Sequence, residues 1–113
     1  FHNNGLDSDE NFSDLGLYET TGSDVDKAKF KTPTLRNIEV TGPYMHDGRF
    51  LTLEEVIEHY NSGGHASSTV DPLMKNIGDG LLLSPEDKQA LLAFLRTLTD
   101  EEFLNNPEFS NPF

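Results

Sequence analysis

The sequence predicts an all-α domain with long irregular loops, and three observations carry that prediction. Two stretches have complete helix-start signals followed by apolar residues at helical spacing. No stretch sustains the apolar–polar alternation of a half-buried strand. Outside these stretches lie Asn4-Gly5, Gly42-Pro43 and Asp47-Gly48, and Gly63-Gly64 follows the first stretch, pairs that mark turns. At 113 residues the chain is one domain. Its apolar fraction of 35% is low against the ~45% or more that is usual when Gly is counted, so a small core is expected.

Residues 1–26 carry seven acids (Asp7, Asp9, Glu10, Asp14, Glu19, Asp24, Asp26) and no Lys or Arg. With no sustained periodicity, this segment reads as an acidic loop pinned by Phe1, Leu6, Phe12, Leu15, Leu17 and Tyr18. Asp7, Asp9 and Asn11 have the first spacings of an EF-hand loop. That loop needs Gly at its sixth position and Glu at its twelfth, where this chain has Phe12 and Tyr18. Ser23 to Ala28 forms a short helical turn capped by Ser23 or Asp24. Pro33 suits the first position of a second turn through Thr34, Leu35 and Arg36, with Thr32 as its cap.

Residues 27–64 are the motif region. Five of the eight cationic residues fall here (Lys27, Lys29, Lys31, Arg36, Arg49). Thr52 and Glu55 make a capping box. Leu53, Val56, Ile57 and Tyr60 then follow at i, i+3, i+4 and i+7, and Gly63-Gly64 ends the helix. Residues 65–83 are a linker. Ser84-Pro85-Glu86-Asp87 opens the longest helix, with its inward face on Leu91, Leu92, Phe94, Leu95 and Leu98. Thr99 begins a last short turn, so the closing helices span 84–104, and the NPEFSNPF tail reads as frayed.

The formal net charge of −12 argues against nucleic acid, whose phosphates demand a cationic surface, and against anionic membranes. No apolar run is long enough to span a bilayer. With no Cys, the chain offers no disulfide, thiolate metal site or thiol nucleophile. The chain has no initiator Met and no signal-like segment, so it reads as a processed product or a piece of something longer. Nucleophile elbows, phosphate loops and zinc-protease motifs are missing too. Taken singly, His46 and His59 read as surface polar residues. Met45 reads as packing filler, and Tyr60 as a core residue whose hydroxyl reaches water. Arg36 and Arg49, clustered in an acidic chain, suggest a local anionic target.

The stretch FKTPTLRNIEVTGPYMHDGRFLTLEEVIEHYNSGG resembles the C-terminal haem domain of bacterial di-haem cytochrome c peroxidases and the MauG-like group. FHNNGLD and SPEDKQALLAFLRTLTD resemble the same family's flanking segments, so the likeness covers nearly the whole chain. The resemblance implies a cytochrome c-like fold and a parent oxidoreductase that reduces peroxide, or uses it to oxidise a partner, through two c-type haems. It implies Tyr60 as an axial iron ligand, with Met45 as the competing candidate. Arg36, Tyr44, His46 and Arg49 would lie about the cofactor, with Arg36, Arg49 or Lys31 neutralising its propionates. The carbonyls of Thr41 and Pro43 would serve an interdomain calcium. Implied partners are an N-terminal haem domain of the same parent chain, a small electron-donor protein and a second copy in a homodimer. The implied location is periplasmic or exported. The family's C-x-x-C-H motif has no counterpart here, so the chain is expected to be a fragment, incomplete at its N-terminus and inactive alone. The alternative is a haem-free helical interaction module on the same scaffold, which would need neither Tyr60 nor the cationic cluster.

Overall fold

The two strongest start signals produce the two helices that organise the structure, a computed structural model describing residues 1–111. Among the described residues there are four α-helices: α1 (Tyr18–Thr21), α2 (Leu53–Ser62), α3 (Pro85–Arg96) and α4 (Glu101–Asn105). Short 3-10 turns lie at Asp9–Asn11, Asp24–Asp26, Ile38–Val40 and Pro107–Phe109. Among the described residues there is no strand, only isolated bridges joining His2 to Phe30, Gly16 to Lys29 and Tyr44 to Phe50.

The capping box of α2 forms as expected. Thr52 Oγ1 accepts from the Glu55 N–H at 3.3 Å, and Glu55 Oε2 accepts from Thr52 N–H at 3.1 Å and Leu51 N–H at 2.7 Å. Gly63 closes the helix at φ +90°, where a Cβ would sit 2.2 Å from the Asn76 carbonyl oxygen, so no other residue fits there. In α3, Ser84 and Asp87 make the reciprocal pair, at 3.1 and 3.2 Å.

The core lies where α2 crosses α3. Tyr44, Leu53, Ile57 and Leu92 are buried there, with Ile38, Phe50, Val56 and Leu95 packed around them. The inward face read for α3 is only partly correct. Leu92 and Leu95 turn to the core, whereas Leu91 and Phe94 are exposed, Phe94 by 56%. A single neighbouring helix covers a narrower stripe than the five apolar residues make. Phe1 likewise does not pin the N-terminal segment; it is exposed, and buried Leu6 holds it.

The turn expected from Pro33 to Arg36 forms later, at Ile38–Val40. Thr34 Oγ1 accepts instead from the Arg36 N–H at 3.2 Å, and buried Asn37 adopts the left-handed φ of 60°. Asn37 donates its N–H to Leu98 O at 2.9 Å and accepts from the Asp100 N–H at 2.6 Å. It thereby fastens this turn to the end of α3. Asp100, rather than Thr99, caps α4 by accepting from the Phe103 N–H at 2.9 Å. The last two residues of the tail expected to fray, Pro112 and Phe113, lie outside the described residues.

The layer these elements make is flat, measuring 45 × 39 × 19 Å. Its radius of gyration of 16.2 Å exceeds the ~13 Å of a compact chain this long. Its accessible surface of 7780 Å² at 12.6 kDa compares with about 6,200 Å² for a closed monomer of that mass. No described side chain is as little as 2% exposed.

Candidate functional site

Two residues far apart in sequence meet at a third that sequence reading passed over as turn chemistry. Tyr60 stands in the last turn of α2, and its hydroxyl oxygen accepts from Asn4 Nδ2 at 3.1 Å. Met45 lies in the loop before α2, and its Sδ accepts from the same Asn4 nitrogen at 3.3 Å. Met45 is half-buried and holds φ at 71°, a left-handed conformation that costs an L-residue energy and persists where surroundings enforce it. Tyr60 is 37% exposed.

The enforcement around Met45 is on both sides. Tyr44 is buried in the core and donates its hydroxyl to Ile38 O at 2.8 Å. Burial pushes its phenol above the usual range, with Glu39 and Glu54 adding to the effect. On the far side, Arg49 donates to both Asp7 carboxylate oxygens, at 2.9 and 2.8 Å, and to Asp47 Oδ2 at 2.9 Å from Nε and 2.7 Å from Nη2. These bonds hold the Asp47 carboxyl below its ordinary range and the Arg49 guanidinium above its own. The Arg49 clamp therefore ties the Met45 loop to the N-terminal segment.

His59 is the correction among the histidines. It is buried rather than at the surface, its Nε2 lies 3.0 Å from Asn4 O, and its ring packs against Phe50 and Tyr60. Burial pushes its imidazole below the ordinary range. No helical pattern marks this residue, because it lies beside the apolar face, where Phe50 and the N-terminal segment cover it. His46 is exposed and stacks on Phe30, with ring centroids 3.9 Å apart.

The acidic side chains that mimicked a calcium loop are dispersed. Asp7 joins Arg49, Asp9 accepts from Ser68, and Asn11 donates to Ser8. Arg36 pairs with Asp100 and lies over the Phe103 ring, 4.6 Å from its centroid. No described group donates a hydrogen bond to the carbonyls of Thr41 or Pro43. No cluster of three or more His, Cys, Asp or Glu able to hold a metal occurs among the described residues.

The chain as a whole has relatives among known proteins. Cytochrome-c peroxidase IdrP2 of Pseudomonas sp. strain SCT is 42% identical over 92 residues, covering 81% of this chain and 23% of the relative. Methylamine utilization protein MauG of Methylorubrum extorquens is 36% identical over 106 residues, covering 83% of this chain and 28% of the relative. The crystal structure of a MauG-like protein associated with microbial copper homeostasis superposes with TM-score 0.87 at 43% identity. That match covers 99% of this chain and 38% of that one. The chain is a homologue of the cytochrome c peroxidases and MauG. It has the all-α, cytochrome c-like fold. No family model matches it. The chain spans about a quarter of the length of the curated relatives it matches. This chain has no Cys, and so no thiol for the covalent attachment of a c-type haem. Among the described residues, no helix is long and apolar enough to cross a membrane.

Proposed function

We propose that this chain supplies the axial side of one haem in a di-haem, peroxidase-type oxidoreductase. The observation that carries the reading is the convergence of Met45 Sδ and Tyr60 Oη on one amide nitrogen. A thioether and a phenolate are both axial-ligand chemistries for haem iron, so the donor set fits the group. The haem would supply one-electron redox chemistry. Tyr60 is the proposed ligand, with Met45 the alternative and His46 a neighbour on the same loop. Cysteines for attachment would come from residues outside these 113. Arg36 and Arg49 are committed to Asp100, and to Asp7 and Asp47. Pairing with propionates therefore forms no part of the proposal, and Tyr44 serves to support the loop.

The activity proposed for the whole protein is peroxide reduction, or peroxide-driven oxidation of a partner, with this chain inactive by itself. An N-terminal haem domain, a small electron donor and a second copy are the proposed partners, and an exported or periplasmic location goes with c-type haem. The carbonyls of Thr41 and Pro43, to which no described group donates, are proposed to contribute to a calcium site completed by another domain.

The deciding experiment uses the haem-loaded protein that carries this chain. Tyr60→Phe should change the spectrum of one haem and raise its reduction potential, because an anionic oxygen donor favours ferric iron. Met45→Leu should do neither strongly. A changed spectrum and a lowered potential in Met45→Leu, with Tyr60→Phe silent, would assign the ligand to Met45, and silence from both variants would overturn the haem-facing reading.

A further inference from the structure

We infer that Asn4 is a positioning residue, whose carboxamide holds Met45 and Tyr60 in place together and tunes the donor strength of whichever one coordinates. The inference rests on the haem-facing reading above, and it concerns a residue that is not itself a ligand. Asn4 Nδ2 has two N–H bonds, and Tyr60 Oη at 3.1 Å and Met45 Sδ at 3.3 Å can each receive one. The assignment of nitrogen to this side is chemically required. A thioether is only an acceptor, so the amide oxygen facing Met45 would leave two acceptors in contact.

The amide can act as a fixed reference because its backbone is held on several sides. Asn4 O lies 3.0 Å from buried His59 Nε2. Its neighbour Asn3, 3% exposed, accepts from the Gly5 N–H at 3.0 Å and donates to Ser67 and Thr69 at 3.1 and 3.0 Å. Gly5 has φ +69°, and its carbonyl accepts from the His65 N–H at 2.7 Å. A side chain on that turn has little freedom to follow either acceptor away.

An N–H donated to a phenolate oxygen or to a thioether withdraws electron density that would otherwise reach the iron. Removing the donor therefore strengthens the axial ligand toward ferric iron, whichever residue that ligand is. It also frees the second residue to move. Asn4→Leu preserves size and the backbone carbonyl while removing both N–H groups; Asn4→Gln restores a donor on a longer stem.

Two measurements test this. In the haem-free 113-residue chain, the Asn4 side-chain amide signal in a ¹⁵N-correlated NMR spectrum should shift in Tyr60→Phe and again in Met45→Leu; no shift in either overturns the shared hydrogen bond. In the haem-loaded protein, Asn4→Leu should move one haem's reduction potential downward and alter its ligand-sensitive absorption, and Asn4→Gln should recover part of both. An unchanged potential and spectrum in Asn4→Leu, where Tyr60→Phe or Met45→Leu changes them, sinks the positioning role alone. Silence from all three variants sinks the haem-facing reading with it.

Discussion

Leu92 and Phe94 are two residues apart on α3, and the structure assigns them opposite consequences. Leu92 is 3% exposed and belongs to a core of four buried side chains, while Phe94 is 56% exposed. Truncating a buried Leu to Ala costs about 2–5 kcal/mol, less where neighbours can relax into the space. On a layer only 19 Å thick relaxation is easy, so about 3 kcal/mol is expected for Leu92→Ala. Exposed positions change stability by roughly 0.5 kcal/mol or less, which is the expectation for Phe94→Ala despite the larger side chain removed. Urea titrations followed by far-UV circular dichroism measure both. With a slope of about 1–3 kcal/mol per molar for a small domain, Leu92→Ala should lower the midpoint by about 1 M or more, and Phe94→Ala should leave it nearly unchanged. Equal losses would refute the split face and mean that Phe94 is covered in solution. Repeating the titration at tenfold different protein concentrations shows whether a second copy does the covering.

Two further outcomes follow from the caps and carbonyls. The Asp100 carboxyl is held below the usual carboxylate range, first by the Phe103 N–H it caps and then by the Arg36 guanidinium. A depressed folded-state value means the stabilisation is present above the unfolded value of about 4 and is lost as pH falls through the folded one. Hydrogen exchange at Phe103 should therefore accelerate relative to intrinsic rates on acidification, and Asp100→Asn, which keeps an acceptor without the charge, should flatten that dependence; identical profiles would refute it. For calcium, Thr41 and Pro43 offer two oxygens where the ion takes about six to eight, so calorimetry on this chain alone should find weak binding at most. Tight binding would place the site in the acidic N-terminal segment instead.

What the sequence revealed of this fold is what local chemistry specifies. The Thr52–Glu55 and Ser84–Asp87 boxes announce α2 and α3 because each cap satisfies backbone groups within one turn. The apolar face of α2 was legible for the same reason, since Leu53, Val56 and Ile57 are neighbours along one helix. The exposure of Leu91 and Phe94 was not legible, because periodicity says which residues share a face and not how wide a neighbour covers it. At the site, Met45 and Tyr60 were visible as chemistry but not as neighbours. Their meeting depends on Asn4, some forty to sixty positions away, and an Asn-Gly pair looks like any other turn. The burial of His59 was not legible, because Phe50 and the N-terminal segment, neither of them in its helix, help to cover it.

The way the site is held follows from the smallness of the core. Four buried apolar side chains at one helix crossing can fix α2 against α3, but they do not reach the N-terminal segment that carries Asn4. Buried Leu6 and the buried polar residues Asn3 and His59 hold that segment, and buried Asn37 does the same for the turn on the other side of the core. Asn3 ties the first residues to Ser67, Thr69 and Asp71. His59 ties Asn4 to α2, and Asn37 ties the Ile38–Val40 turn to α3 and α4. Apolar contacts are non-directional and tolerate sliding, whereas a buried amide bears its full desolvation cost uncompensated when its partner moves out of line. A chain that must hold a thioether and a phenol against one nitrogen, with little core to help, is therefore better served by directional bonds at these three points than by a few more leucines, and among the described residues no buried side-chain polar atom is left without a partner.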